Sequence, residues 1–214
     1  MVATARAVNS TYLEFKRQSR SGLARVVGTH TDSRYEATTV FRIYEHNVIP
    51  GLFQTATYTA AMLTFWIGFL GAPNDLQEAV TTRMHRQRVL RRSGKRFAVI
   101  LEEQALRTWF GTSQTQADQL DHLLTVMGFP TVSVGVIPLM TPRPGVASTG
   151  FWIFDDRLVA VETPTASIEV TRPHEVGLYA RMFEMLASVA VYGTAARELI
   201  AAARDDLAPL LARD

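Results

Sequence analysis

An α+β fold, a small mixed β-sheet packed with several α-helices in a single domain, is what this sequence predicts. Two observations lead there. The apolar patterning runs helices, strand, helix, a cluster of strands, then helices, with no sustained βα alternation. At 214 residues, 47% hydrophobic and 20% charged, the chain can bury one substantial core. We place that domain at residues 35–214, behind an N-terminal helical arm at residues 1–34.

In the arm, "TYLEFKRQSRSGLARV" (residues 11–26) allows a helix through Tyr12, Leu13, Phe15 and Leu23. "YEATTVFRIYEHN" (35–47) is rich in β-branched and aromatic residues, yet Ala37, Val40, Phe41 and Tyr44 also fit a helix, so both remain open. Pro50-Gly51 signals a turn, with proline presetting φ and glycine accepting positive φ. Thr55 can then cap a helix in which Tyr58, Ala61, Met62, Phe65, Trp66 and Phe69 recur at helical spacing. Asp75 has the chemistry of a second N-cap. Behind it Leu76, Ala79, Val80, Met84 and Leu90 form an inward stripe, opposite Thr81, His85, Arg88 and Arg92, until Gly94.

"RFAVILEE" (Arg96 to Glu103) predicts a buried strand, and "QALRTWFG" a short helical turn closed by Gly111. Ser113 to Gly128 predicts an amphipathic helix with Ala117, Leu120, Leu124 and Met127 inward. "TVSVGVIPL", "STGFWIFDD" and "RLVAVETPTASIEV" predict strands, the last bending at Pro164 into a hairpin. Helices from His174 to Tyr192 and from Thr194 to Leu211 close the pattern.

Composition excludes several chemistries. The sequence has no cysteine, hence no disulfide, thiolate ligand or cysteine nucleophile. All but two of the 22 basic residues are arginine, the exceptions being Lys16 and Lys95, and the net charge of +2 gives no argument for nucleic acid. The N-terminal residues contain no signal-like apolar run. The run from Tyr58 to Leu70 is interrupted by Thr59, Thr64 and Gly68 and falls short of the ~20 residues that span a bilayer. A soluble, cytoplasmic protein is expected. The five histidines are scattered, with no HExxH, and no GxGxxG, P-loop or GxSxG occurs. Neither a metal nor a cofactor is expected.

Three features could carry chemistry. "RMHRQRVLRRSGKR" (Arg83 to Arg96) could contact phosphate, or could be a solvated helix whose arginines offset its dipole. Alternatively, Arg88 or Arg83 could turn inward to pair with Glu102 or Glu103. Tyr58, Phe65, Trp66, Trp109, Phe110, Phe151 and Trp152 suit a core, and some of them suit a ligand pocket. Each of the pairs Glu102-Glu103 and Asp155-Asp156 offers at most one inward carboxylate, because neighbours on a strand face opposite ways.

Taken in order, the motifs resemble a known family. "IYEHNVIPGLFQTATYTAAML", "TTRMHRQRVL", "VILEEQALRTWFG", "QADQLDHLLTV", "VSVGVIPL", "GFWIFDD" with "LVAVET", and "YARMFEMLASVAV" together span Tyr35 to Leu199. They resemble the C-terminal domain of unknown function of actinobacterial Xre-type helix-turn-helix regulators, the Scr1-family antitoxin-like transcriptional regulators. The resemblance implies a regulatory or sensory domain, sometimes encoded beside a small partner protein, with DNA read by a separate N-terminal helix-turn-helix. Residues 1–34 lack that module's periodicity, so direct DNA binding is not expected.

The expected function is therefore a stand-alone sensor or partner-binding domain for a small ligand or small protein, with a homodimer as an open alternative. A second expectation is a cofactor-independent enzyme of specialised metabolism, performing a cyclisation or rearrangement in the same pocket. A third, an independent DNA-binding protein, rests on the arginine helix alone. The candidate ligand-binding residues are Gln54, Tyr58, Trp66, Arg88, Glu103, Trp109 and Trp152. Glu103 and Arg88 are also the catalytic candidates.

Overall fold

The structure is a computed structural model that describes residues 12–14, 22–24 and 31–212. Among the described residues, seven strands form one mixed sheet in the order β1-β7-β6-β5-β2-β3-β4. They are β1 (Tyr12–Glu14), β2 (Val40–Glu45), β3 (Arg96–Glu102), β4 (Val132–Ile137), β5 (Phe151–Phe154), β6 (Leu158–Thr163) and β7 (Ala166–Val170). Strands β2, β3 and β4 are parallel neighbours, and β5, β6, β7 and β1 continue antiparallel from the other side of β2. The α+β class and mixed sheet follow the sequence expectation.

The residues left open at 35–47 divide between the two states. Thr31–Ala37 is helix α1, and the β-branched and aromatic half is β2. Most of the predicted arm lies outside the described residues. Within it, Tyr12–Glu14 is extended and pairs with β7, where a helix was expected.

Alternation sorts the strands onto two faces. Phe41, Ile43, Phe97, Val99, Leu101, Val134 and Val136 point to one face. There they meet Tyr35 of α1, Tyr58 of α2 (Ala56–Leu70), Leu120 and Leu123 of α5 (Ser113–Val126), and Ile200 of α7 (Gly193–Asp205). Between α2 and α5 in the chain lie α3 (Leu76–Arg86) and the short α4 (Glu103–Arg107). Tyr44, Ile100, Phe151, Ile153, Val159 and Val161 point the other way, onto Val176, Phe183 and Leu186 of α6 (Pro173–Ala187).

Two local expectations are corrected. Gly51 is not among the glycines at positive φ. It opens a 3₁₀ turn, Gly51–Phe53, led by Pro50 at φ −56°. Asp75 precedes α3 but does not cap it with its side chain. Its two oxygens accept from the backbone N–H groups of Leu23 (3.0 Å) and Ala24 (2.7 Å), joining the earlier segment to the α2–α3 corner. Thr55 does cap α2, its Oγ1 accepting from Tyr58 N at 3.2 Å.

Lys95 is buried just before β3. Its ammonium donates to the carbonyls of Tyr35 (2.8 Å), Glu36 (2.8 Å) and Thr38 (2.6 Å), one for each of its three protons. These carbonyls end α1, where helical groups lack internal partners and the dipole favours a cation. The lysine thereby fixes Tyr35 against the sheet. Among the described residues, no helix is long and apolar enough to cross a membrane, and no three His, Asp or Glu side chains are grouped to hold a metal.

Candidate functional site

Strands β2 and β3 are parallel, so their last residues, Glu45 and Glu102, emerge at one edge of the sheet. Strand β6 is antiparallel to β5, and β5 to β2, which brings Glu162 near the same edge. Continuing the register Tyr44↔Phe151 by one residue sets Glu45 across from Gly150. Continuing Trp152↔Ala160 by two sets Glu162 across from Gly150 on the other side. Two carboxylates therefore flank a residue with no side chain, on the face that α1, α2 and α3 cover. In open sheets this edge, where neighbouring strands leave in opposite directions, is where ligands commonly lie.

A Cβ added at Gly150 would come within 3.0 Å of Glu45 Cδ and 3.1 Å of the Tyr44 carbonyl. Gly150→Ala is therefore expected to displace the Glu45 carboxylate from its hydrogen bond with Trp152. Stability should fall only about 1 kcal/mol, because a side-chain end can swing away. A changed Trp152 emission with a nearly unchanged melting temperature is the signature; an unchanged spectrum would contradict this packing.

Four more residues complete the recess. Trp152 Nε1 donates to Glu45 Oε1 at 2.8 Å, and the Trp152 ring lies 6.0 Å from that of Tyr35. Arg83 turns inward from α3, and its Nη1 donates to Gln54 Oε1 at 3.0 Å. The Arg86 guanidinium sits over the Tyr35 ring, 4.9 Å from its centroid. Glu162 keeps solvent access, yet protein crowds around it closely enough to raise its pKa. Tyr35, Arg86, Arg83 and Trp152 stand as the walls of this recess, with Glu162 at its open side.

That environment shifts Glu45, Glu162, Arg83, Tyr35 and Tyr58. Burial is the leading cause for Glu45, whose pKa is raised to about 8; Trp152 lowers it and Glu162 raises it further. Burial also raises Glu162, opposed by Arg83 and Arg86. The Arg83 guanidinium is lowered chiefly by burial, with Glu162 opposing. Tyr35 and Tyr58 are each pushed up to about 12, again mainly by burial. At neutral pH Glu45 is mostly a protonated carboxyl, able to donate as well as accept.

The candidates from the sequence fall in several places. Trp152 lines the recess. Gln54 holds its Arg83 wall. Tyr58 stands behind it, with Glu45 among the charges acting on its hydroxyl. Gln54 also donates to the Ile49 carbonyl (2.7 Å) and accepts from Thr59 Oγ1 (3.0 Å), so it braces the turn before α2.

Trp66 belongs elsewhere, in a ladder with Phe65 and Phe69 along α2. Trp109 is exposed beyond α4, and Arg88 is exposed on the 3₁₀ turn Gln87–Arg91. The pairing of Arg88 or Arg83 with Glu102 or Glu103 does not form. Glu103 instead accepts from Arg107 Nε (2.9 Å) and Leu139 N (2.9 Å), whereas Glu102 takes both Arg143 Nη1 (2.8 Å) and Nη2 (2.7 Å). Both carboxylates thus hold the segment between β4 and β5. Glu45, Glu162 and Tyr35 are the residues that sequence reasoning passed over as a site, whereas Arg83 and Arg86 lie in the arginine run it singled out and Arg83 does turn inward, onto Gln54 instead of Glu102 or Glu103.

Known proteins offer little beyond the family. No curated protein matches the chain. TrmBL2, an archaeal chromatin protein whose structure shows a mode of DNA binding, aligns over 76% of this chain at 11% identity and a TM-score of 0.40, and the match spans only 48% of its length. NucT from Helicobacter pylori aligns over 85% of this chain and 97% of its own at 10% identity and TM-score 0.43. Nuc from Salmonella typhimurium, a phospholipase D family member, aligns over 75% of this chain and 86% of its own at 9% identity and TM-score 0.40. Scores of this size say nothing about the work of the recess. Residues 33–202 match one family described only as a domain of unknown function, and the chain belongs to that family, DUF5753.

Proposed function

We propose that this chain is a cytoplasmic sensor domain whose recess at the sheet edge binds a small polar molecule, and that it acts in transcriptional regulation through a protein partner. The supporting observation is a convergence of side chains: Tyr35 of α1, Arg83 and Arg86 of α3, Glu45 of β2, Trp152 of β5 and Glu162 of β6 come together at one end of the sheet, with Glu162 open to solvent. Desolvated charges destabilise a fold unless something offsets them, so several gathered in one place favour a binding role over packing. The link to Xre-type regulators comes from the ordered motifs between Tyr35 and Leu199 and belongs to this proposal. A small-molecule screen by melting shift tests it. Hits should lose most of their shift in Arg83→Gln and Glu162→Gln, with roughly tenfold weaker binding for each lost charged contact. Shifts that survive both substitutions would place binding elsewhere and reject the recess.

A catalytic reading has one observation of its own. Glu45, with its pKa near 8 and Glu162 close by, has the properties of a general acid at neutral pH. The enzyme reading thus moves from Glu103 and Arg88 to Glu45 and Glu162. It expects Glu45→Gln to keep a hit's melting shift while ending its conversion, followed by mass spectrometry. A hit recovered unchanged after long incubation with wild type would leave the sensor alone.

A further inference from the structure

We propose that the recess takes the zwitterionic head of an α-amino acid, its carboxylate on Arg83 and its ammonium on Glu162. This rests on the ligand-binding reading above and names the ligand class.

The argument begins with two opposite charges that do not meet. Among the described residues, Arg83 makes one direct bond, from Nη1 to Gln54, out of the five N–H donors of a guanidinium. Its other nitrogens are not among the buried atoms lacking a partner, so they keep some solvent contact. Glu162 acts on Arg83 electrostatically, but among the described residues it has neither a hydrogen bond nor an ion pair. Elsewhere in this protein such pairs close: Arg34 with Glu169, Arg107 with Glu103, and Arg143 with Glu102. Two long side chains that feel each other's charge without pairing leave room for a molecule between a cation and an anion, with Arg86 as a second cation acting on Glu162.

The chemistry of the gap selects the ligand. A simple anion would satisfy the arginines but leave Glu162 facing it, and a simple cation would satisfy Glu162 but face Arg83 and Arg86. A molecule carrying both charges satisfies both, and the guanidinium fork suits a carboxylate. Glu45 adds no competing anion while it is protonated, and Trp152 holds it in place. The rings of Trp152 and Tyr35 give the ligand's side chain an apolar wall.

The test uses the full chain and the twenty common L-amino acids, each titrated by calorimetry and melting shift. The best binder is then compared with its N-acetyl derivative, which lacks the ammonium, and its amide, which lacks the carboxylate. Each derivative is expected to bind at least tenfold more weakly. Glu162→Gln should erase the difference between the amino acid and its N-acetyl form, and Arg83→Gln the difference between the amino acid and its amide. Failure of all twenty to bind, or derivatives binding as well as the parent, would overturn the assignment; the derivative comparison needs only wild type. A broader library run in parallel separates the two readings. Hits that depend on Arg83 but carry no amino-acid head would overturn this assignment alone. No hit from either set would overturn the sensor reading as well.

Discussion

Glu45→Gln is expected to melt well above wild type at pH 9 and close to it at pH 5. In the unfolded chain this carboxyl loses its proton near the ordinary value of 4.5, whereas in the fold it holds the proton until about pH 8. Between those values the folded state binds the extra proton, so rising pH draws stability away, and the loss levels off above pH 8. Full burial would cost several kcal/mol, but Glu45 keeps some solvent contact, so the effect should be on the order of 3 kcal/mol. For a chain of this size that corresponds to roughly 10 °C. Glutamine keeps an oxygen to accept from Trp152 and cannot ionise, so the variant should escape the loss. Melting curves of both proteins from pH 5 to pH 9 provide the check. If they run parallel, Glu45 ionises freely and the recess does not shield it.

Lys95→Met, a change of similar length at a buried site, should cost about 3 kcal/mol. Methionine fills the same channel but leaves the carbonyls of Tyr35, Glu36 and Thr38 without their donor. A buried acceptor stranded in this way costs about 1–3 kcal/mol, and neighbouring water recovers part of the sum. Urea denaturation should show a lower midpoint with an unchanged slope. A loss under about 1 kcal/mol would mean that water replaces the ammonium easily. Because Tyr35 is held by this lysine and packs on Trp152, the variant should also perturb Trp152 emission.

Periodicity revealed the elements and their order, because helices and strands bury one stripe or one face and the stripe is written in apolar spacing. It found α2 behind Thr55, the strand of β3 and the hairpin at Pro164. It could not divide 35–47, where two elements are joined within a few residues, nor foresee that Asp75 reaches back to Leu23. The recess was harder still. Glu45 and Glu162 are single acids more than a hundred residues apart in no motif, and only the β2–β5–β6 register brings them together. Arg83 lay in plain view within the arginine run, but a run cannot show which member turns inward. Gln54 and Tyr58 stood out in the signature stretch after Pro50-Gly51 and Trp152 among the concentrated aromatics, and the structure puts all three at or behind the recess.

The sheet order also sets a timetable for the chain as it is made. The parallel strands β2, β3 and β4 can pair once Ile137 has emerged, using contacts already present. Glu162 arrives later, on a meander that must dock against the far side of β2 through β5. A nascent chain can therefore hold a formed half-sheet and helix layer while the recess is missing one wall. The recess gains its Glu162 side only after β2, β3 and β4 have emerged, and before α6 and α7 follow.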